Sequence, residues 1–320
     1  MADVNTETAA EPRWEVFLNG AFVAPERATV SVFDAGFQHA VGVFATVSVY
    51  GGVAFRLREH LELMAASAVQ LGLAREMSVE PLAEAVRATI THNGLAGLER
   101  ARIRVTVTPG AVSMLREKRG ESGDRRVGQT VCIVPEPAVA YDPAYFDDGI
   151  TALFYKQSAN PFDDLAGHKT LAYWGRLRSL RQAAAMEAGE ALWLSVTNHV
   201  TCGAISNVIL VKDGQLVTPL ARGETESDAL PAPVRPGVTR AAVLELAETA
   251  GLTVTKKLVS VDEVLDADEV MLTNSGWGVL PVSRMEQKVI GDGKAGPVTR
   301  GLRTALLGLI ERECSAEADA

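Results

Sequence analysis

The stretch with the greatest potential for chemistry is residues 167–174, which read Gly-His-Lys-Thr-Leu-Ala-Tyr-Trp. A polar loop at 159–164 precedes it and an amphipathic run follows it, so Lys169 is predicted at a loop-to-helix junction. An amine that attacks a carbonyl carbon must first lose its proton, and burial or cationic neighbours lower its pKa. The ordinary alternative is a solvated lysine, and residues elsewhere in the chain decide between the two.

The composition is that of an ordinary globular protein. The chain has 320 residues, 47% hydrophobic and 22% charged, which suffices for one large or two medium domains. The formal net charge of −9 provides no basic footprint for nucleic acid. The run at 115–126 mixes charges of both signs and is predicted to be a solvated loop. A nucleic-acid partner is therefore not expected.

Cysteine usage and the N-terminal residues indicate a reducing compartment. Cys132, Cys202 and Cys314 are far apart, odd in number and form no metal-type pair. Residues 1–12 are polar and acidic and lack the apolar core of a signal peptide. No apolar run approaches the length of a membrane span. We therefore expect a cytoplasmic protein with neither a bound metal nor a membrane partner.

Hydrophobic periodicity divides the chain into a small N-terminal α/β domain at 1–136, a proline-bearing linker at 137–147 and a larger domain at 148–320. The first domain is predicted to hold an antiparallel sheet, with strands near 14–22 (a hairpin), 30–33, 41–50, 53–57, 101–108 and 129–134, and helices near 58–72 and 81–93. The second is predicted to hold strands near 150–155, 192–195, 208–212, 270–273 and 288–290, helices up to about 187 and near 237–251 and 298–312, and a polar insertion at 224–236.

Several stretches follow the order and spacing of one known family. They are the hairpin turn Asn19-Gly20 with residues 30–37, the segment 55–61, the lysine motif 168–173, the sequence 237–240 and the sequence 272–276. Together they resemble the class IV aminotransferases, the fold-type IV pyridoxal 5'-phosphate (PLP) enzymes, which include branched-chain and D-amino-acid aminotransferases and aminodeoxychorismate lyase. The resemblance implies an α/β (α+β) fold of two domains, the larger with a mixed sheet or barrel-like core.

The resemblance also implies roles for the residues of the lysine motif and of segment 55–61. Lys169 would carry the cofactor as an internal aldimine and move the proton between the substrate Cα and the cofactor. Tyr173 would contact the phenolic oxygen of the cofactor, although an aromatic residue at this spacing could equally belong to the core. Arg56 would hold the phosphate, for which the guanidinium fork is suited. A lone arginine is otherwise most often a surface ion pair.

The sequence Gly237-Val238-Thr239-Arg240 opens a predicted helix. A glycine permits close approach, the first free amides and the helix dipole favour an anion, and the Thr239 hydroxyl adds a donor, so the motif suits a phosphate. The resemblance assigns Val238, Thr239 and Ser275 to the cofactor phosphate. It places His39 and Asn274 on the substrate side, while a buried turn histidine remains an equal alternative for His39.

Several positions depart from the family pattern, among them Val41, which replaces the usual acid, and Ala172, where the family often has asparagine. Cys202 stands where the family has a glutamate that pairs with the pyridine nitrogen, and a neutral thiol is a weak partner. Losing that charge-assisted hydrogen bond forfeits roughly 1.5–3 kcal/mol of pyridinium stabilisation. Ala45 replaces an acidic residue that shapes the substrate pocket in some aminotransferases. These departures argue against a standard branched-chain or D-alanine enzyme.

Three hypotheses follow from the resemblance. The first is a PLP-dependent aminotransferase that moves an amino group between an amino acid and a 2-oxo acid through Lys169. The second is a β-elimination enzyme like aminodeoxychorismate lyase, which the Asn274-Ser275 pair and Ala45 favour. The third, motivated by Cys202, is a PLP-binding homologue with weakened catalysis. The resemblance further implies a homodimer whose partners are small amino-acid and oxo-acid substrates.

Overall fold

Two β-sheets organise the protein in a computed structural model that describes residues 14–111, 128–225 and 230–318. The first sheet has six antiparallel strands in the order β2-β1-β6-β5-β3-β4. Its elements are β1 (Val16–Leu18), β2 (Ala21–Val23), α1 (Ala35–His39), β3 (Val43–Tyr50), β4 (Val53–Ala54), α2 (Leu57–Gln70), α3 (Val79–His92), β5 (Arg100–Thr108) and β6 (Thr130–Pro137). Two predictions, for the N-terminal segment 1–12 and the run at 115–126, fall outside the described residues.

The second sheet has ten strands of mixed direction in the order β12-β11-β10-β14-β15-β7-β8-β9-β13, with β16 paired to β15. Its elements are α4 (Ala144–Asp147), β7 (Ile150–Ala159), α5 (Trp174–Ala185), β8 (Glu190–Ser195), β9 (His199–Gly203), β10 (Asn207–Lys212), β11 (Gln215–Pro219), α6 (Val238–Thr249), β12 (Val254–Lys257), β13 (Val259–Ser260), α7 (Val261–Leu265), β14 (Glu269–Asn274), β15 (Gly278–Met285), β16 (Lys288–Val289) and α8 (Pro297–Ala318). Because β11 also contacts β9 and β13, the sheet is nearly closed. The predicted barrel-like core is confirmed.

Strand β5 shows how the sequence directs side chains to the site. Its residues alternate between buried and half-buried, as a strand with one face on a core requires. Ala101, Ile103 and Val105 enter the first hydrophobic core. Arg102 and Arg104 therefore point to the opposite face, toward the second sheet. Arg102 is tied to Glu136 of β6 by a 2.8 Å hydrogen bond from its Nε.

A shared apolar cluster joins the two sheets. Phe55, which follows β4, packs among buried residues of α6, β14 and α8, including Val243, Met271 and Leu306. The Ser48 hydroxyl of β3 also donates to the Ser275 carbonyl at the end of β14. Side chains on β3 and in the turn after β14 are therefore held against one another.

The structure corrects several sequence-based elements. The predicted strand at 30–33 is a loop in which Val32 and Phe33 are exposed, since no neighbouring strand pairs with it. The carboxylate of Asp34 instead accepts from the Gly36 amide and caps α1. Strands β9, β12, β13 and β15 were not predicted. In β15, Gly278 and Pro281 count against a central strand, yet Pro281 pairs in register with Met271.

A buried ion pair at the start of α6 predicts a pH-dependent stability. Arg240 is 3% exposed and donates to both carboxylate oxygens of Glu224 at 3.0 and 2.9 Å. Burial would raise the pKa of Glu224, but hydrogen bonds from Arg240, the Ala221 amide and Lys256 outweigh it and lower this pKa to about 2. The contribution is therefore complete above the ordinary value of 4.5 and is lost as pH falls toward 2.

Glu224→Gln is expected to lower the free energy of unfolding by about 1.5–3 kcal/mol at pH 7. The difference from wild type should shrink as pH is lowered below 4.5. Urea unfolding at pH 7 and pH 3.5 measures it. The matched control is Glu80→Gln, which breaks exposed ion pairs with Arg58 and Arg87 and should change stability by less than about 1 kcal/mol. If wild type and Glu224→Gln differ in unfolding free energy by the same amount at pH 7 and pH 3.5, the lowered pKa of Glu224 would be contradicted.

Candidate active site

Lys169 lies where the two sheets meet. The segment around it forms a short antiparallel bridge with the start of β3, in which Val43 pairs with Thr170. The Phe44 amide donates to the Lys169 carbonyl at 3.0 Å, and the Leu171 amide donates to the Gly42 carbonyl at 3.0 Å. Lys169 is therefore fixed by backbone hydrogen bonds five residues before α5 begins, and its side chain faces the interface between the sheets.

The surroundings of Lys169 favour the neutral amine. Burial is the main cause that lowers its pKa well below 10.5, and the positive charges of Arg235, Arg176, Arg104 and Arg102 add to it. An amine that has lost its proton is a nucleophile and can accept a proton from carbon. The environment therefore provides the property that a Schiff-base lysine requires.

Two aromatic rings enclose the amine. Lys169 Nζ lies 4.7 Å from the Phe44 ring centroid and 5.8 Å from that of Tyr173. The two rings contact each other edge to face with centroids 5.4 Å apart. The Tyr173 hydroxyl is 3.5 Å from the Ala204 carbonyl, and burial raises the pKa of this phenol. Tyr173 therefore presents a neutral hydroxyl beside the lysine.

Cys202 sits on β9 at one end of this group, with an arginine against it. Arg176 Nη1 is 3.7 Å from Cys202 Sγ and donates to the Gly203 and Ala204 carbonyls at 3.1 and 2.9 Å. Arg176 thus fixes the turn after β9 and brings a positive charge to the thiol. No described carboxylate makes a hydrogen bond with Arg176 or Cys202.

The fully buried carboxylate of Glu190 holds the turn after β9 in place. Glu190, at the start of β8, accepts from the Ala191, Ala204 and Ile205 amides at 2.9, 3.0 and 3.3 Å and from the Ser206 hydroxyl at 2.8 Å. A Cβ at position 203 would overlap the Ser206 hydroxyl and the Glu190 carboxylate, so Gly203 is required there. Glu190 therefore sets the path of the chain that carries Cys202.

The other end of the site is built to receive an anion. Helix α6 begins at Val238 after an N-cap, Gly237, that supplies no side-chain cap, so the first helical amides remain free. A Cβ at Gly237 would overlap the Asn207 side chain. A small cavity nearby is lined by Thr239, His60 and Ser275, among others. The Nδ1 atom of His60 is buried and has no hydrogen-bond partner among the described residues.

The family model described as amino-transferase class IV matches residues 42–285. The chain belongs to the class IV aminotransferase family. It is 30% identical over 294 residues to a putative branched-chain-amino-acid aminotransferase of Methanocaldococcus jannaschii, which covers 90% of this chain and 94% of the relative. The structure of Escherichia coli branched-chain amino acid aminotransferase matches at a TM-score of 0.81 and 28% identity, covering 92% of this chain and 94% of that one. The structure of a 4-amino-4-deoxychorismate lyase from Pseudomonas aeruginosa matches at a TM-score of 0.74 and 27% identity, covering 91% of this chain and 97% of that one.

Class IV aminotransferases are PLP enzymes, and the residues present fit this cofactor. PLP has an aldehyde that needs a neutral amine and a phosphate that needs donors. The amine is that of Lys169, and the free amides of α6 with the unpartnered His60 Nδ1 lie at the anion-binding end. The groups whose charge acts most on Lys169 are four arginines, which matches an anionic ligand.

The structure brings most of the predicted site residues together. Tyr173 adjoins Lys169 directly, and Cys202 is linked to them through Arg176. Thr239 and Ser275 line one cavity at the anion-binding end, and Val238 is the first helical residue of α6.

Arg56 and His39 lie elsewhere. The guanidinium of Arg56 makes hydrogen bonds with Glu245 of α6 and Glu313 of α8 at 2.8–3.2 Å. His39 is exposed at the end of α1. Asn274 lies close to the site, but its side-chain oxygen accepts from the Gly276 and Trp277 amides at 2.8 and 3.0 Å. Asn274 therefore shapes the turn that carries Ser275.

Sequence reasoning missed the arginines around Lys169 and the carboxylate below the turn. These residues are Arg104, Arg176, Arg235 and Glu190. Only the alternation of β5 offered a signal, because it predicts that Arg102 and Arg104 share one face. Arg104 lies with its Cζ 3.7 Å from the Phe44 centroid, and its Nε donates to Thr106 at 3.3 Å.

Residues 14–111, 128–225 and 230–318 contain neither a metal-binding cluster nor a membrane-spanning helix. No group of three or more His, Cys, Asp or Glu side chains in these ranges is arranged to hold a metal ion. Within the same ranges, no helix combines the length and apolar character that crossing a membrane requires.

Proposed function

We propose that this class IV aminotransferase uses PLP and transfers an amino group between an amino acid and a 2-oxo acid, with Lys169 as the residue that binds the cofactor covalently. The observation that supports this most is the Lys169 amine, whose pKa is lowered by burial and by four arginines, in a segment paired with β3. When bound, PLP supplies an electrophilic carbon and a ring that withdraws electrons from the substrate Cα.

The residues around Lys169 divide the work of binding and proton transfer. The Lys169 amine would take the proton from the substrate Cα and deliver it to the electrophilic carbon that PLP supplies. Tyr173 would donate a hydrogen bond from its hydroxyl to the phenolic oxygen of the cofactor, since burial raises the pKa of the phenol. The amides of Val238 and Thr239 and the Ser275 hydroxyl would hold the phosphate. The Phe44 ring packs beside the amine and limits access of water.

Arg104 is suited to bind the substrate carboxylate. Its guanidinium lies against Phe44, the ring that also contacts Lys169 Nζ. Burial lowers the pKa of Arg104, and no carboxylate among the described residues makes a hydrogen bond with it. A half-buried guanidinium without such a partner provides a strong site for an anionic group near the reacting amine.

The lyase remains the second candidate because a lyase structure matches nearly the whole chain. The Asn274-Ser275 pair also favoured it, although Asn274 is occupied by its turn. The argument from Ala45 does not hold, because Ala45 is fully buried in the first core and faces away from the Lys169 side chain. An acidic residue missing at that position therefore changes nothing in the pocket.

We also propose that the protein is a cytoplasmic homodimer. The residues before and within α1 expose an apolar patch, with Val32 60%, Phe33 57% and Phe37 73% exposed. His39 lies at the end of the same helix. Contact with a second copy through this patch would bury these side chains and bring His39 toward a substrate pocket. Sedimentation equilibrium of wild type and of Phe37→Asp tests the assembly.

An absorption titration tests the proposed reaction. Purified protein is mixed with PLP, and its visible spectrum is recorded before and after a panel of amino acids and after borohydride reduction. Conversion of the cofactor band to that of pyridoxamine phosphate is expected, with Lys169 modified by borohydride. A band that persists while pyruvate forms from aminodeoxychorismate would favour the lyase. Absence of any band would contradict the PLP assignment.

A further inference from the structure

Arg235 is a half-buried arginine whose positive charge is not neutralised by the described residues. Its guanidinium has no hydrogen-bond or ion-pair partner among them, whereas its backbone carbonyl accepts from the side-chain Nδ2 of Asn207 at 2.9 Å. Pairing of Ala221 with Val234 fixes the preceding residue. Arg235 is therefore held firmly by its backbone, two residues before the N-cap Gly237, while its charged end lacks a protein partner.

Arg56, unlike Arg235, has protein partners that neutralise its positive charge. Its side chain is 10% exposed and contacts three carboxylates, those of Glu59, Glu245 and Glu313. Two of them belong to α6 and α8, so Arg56 ties the start of α2 to both helices. A guanidinium that already serves these acceptors has little capacity for a further anion.

The charges around Arg235 favour an anionic ligand. Burial lowers the pKa of Arg235 to about 10, and the positive charges of Arg176 and Arg222 oppose its protonation. It remains charged at neutral pH all the same, and its charge reaches both Lys169 and His60. His60 carries the unpartnered Nδ1 atom at the anion-binding end. The charge of Arg235 therefore acts on the reactive amine and on a residue of the anion-binding end, and the backbone of Arg235 lies two residues before the N-cap of α6.

We propose that Arg235 is the cation that binds the cofactor phosphate, together with the first amides of α6 and the Thr239 hydroxyl, and that Arg56 serves only to join α2, α6 and α8. This inference rests on the proposed function, because it needs a phosphorylated ligand. The positive charge that binds the phosphate would then come from the segment that leads into α6. Only Pro236 separates Arg235 from the N-cap Gly237, so the guanidinium and the helix amides could bind the same anion.

Binding of PLP and of pyridoxal, which lacks the phosphate, separates the phosphate contact from all others. The cofactor-free full chain is titrated with each by equilibrium dialysis, for wild type, Arg235→Met, Arg235→Lys and Arg56→Met. Arg235→Met is expected to weaken PLP binding by about 10- to 100-fold and to leave pyridoxal binding within about twofold. Arg235→Lys should recover part of the loss. Arg56→Met should keep the wild-type ratio of the two affinities.

Thermal unfolding of the cofactor-free variants checks that each is folded. Arg235→Met should be at least as stable as wild type, because it removes a half-buried charge that has no partner among the described residues. An unchanged ratio in Arg235→Met would overturn the inference, as would a collapsed ratio in Arg56→Met. A normal PLP affinity combined with a raised KM for the amino acid would show that Arg235 binds substrate instead. Failure of wild type to bind PLP more tightly than pyridoxal would overturn both this inference and the proposed function.

Discussion

Lys169→Met is expected to reduce amino-group transfer by at least about 10³-fold, because it removes both the nucleophile and the proton carrier. Methionine retains an apolar stem of similar length, so the contacts with Phe44 and Tyr173 are largely kept. Added amines cannot restore the covalent bond to the chain. Borohydride treatment with PLP should therefore leave the variant unmodified.

The same substitution is expected to stabilise the cofactor-free protein at neutral pH. The folded-state pKa of Lys169 lies below the ordinary 10.5, so the unfolded chain binds the proton more tightly than the folded chain does. The charge on this lysine therefore favours unfolding at pH 7, and this effect declines as pH rises toward 10.5. Methionine removes the effect, since it has no proton to bind.

Kinetics and denaturant unfolding at pH 7 and pH 9.5 measure both effects. The control is Lys294→Met, since Lys294 is 66% exposed and 4.0 Å from Asp148. This control should retain wild-type activity and stability. Substantial turnover in Lys169→Met, or a loss of stability that is equal at both pH values, would contradict the role given to the amine.

Glu190→Leu is expected to destabilise the protein by about 4 kcal/mol or more. The carboxylate is fully buried and accepts four hydrogen bonds, from the Ala191, Ala204 and Ile205 amides and the Ser206 hydroxyl. Each buried donor left without an acceptor costs about 1–3 kcal/mol. Leucine has a similar volume, so the loss reports the hydrogen bonds rather than a cavity.

Displacement of the turn after β9 in Glu190→Leu is also expected to disturb the candidate active site. The carbonyls of Gly203 and Ala204 accept hydrogen bonds from Arg176, and the Ala204 carbonyl also lies 3.5 Å from the Tyr173 hydroxyl. A displaced turn would therefore move groups around Lys169. PLP affinity is therefore expected to fall in Glu190→Leu even under conditions where the chain remains folded. Glu190→Gln keeps one acceptor oxygen, so its PLP affinity should lie between those of wild type and Glu190→Leu.

Glu269→Leu provides the matched control for these measurements. Glu269 is also buried and accepts from the Val298 and Thr299 amides at 3.0 and 2.7 Å, at the start of α8. It should lower the free energy of unfolding but leave PLP affinity unchanged in the folded protein. Urea unfolding and PLP titration measure both. Equal losses of PLP affinity in the two variants would show that Glu190 has no particular link to the site.

Local sequence patterns correctly predicted those helices and strands whose formation depends mainly on their own residues. The 3.6-residue period predicted α2 and α3 to within a few residues, and Asn19-Gly20 predicted the first hairpin, because side chains on one face of a helix or strand share one environment. The pattern failed for residues 30–33. Their β-branched and aromatic side chains suit a strand, but a strand needs a neighbour, and none pairs with them.

Short motifs and periodic elements in the sequence were enough to predict the family and the two-sheet α/β architecture, and they also predict Lys169 as the reactive residue. Which charged side chains meet, by contrast, depends on how the chain folds in three dimensions. Arg56 contacts Glu245 and Glu313, which lie 189 and 257 residues away in the chain. Arg104, Arg176 and Arg235 converge on Lys169 from three different segments. Electrostatic energy depends on distance in space, and no local pattern encodes that distance.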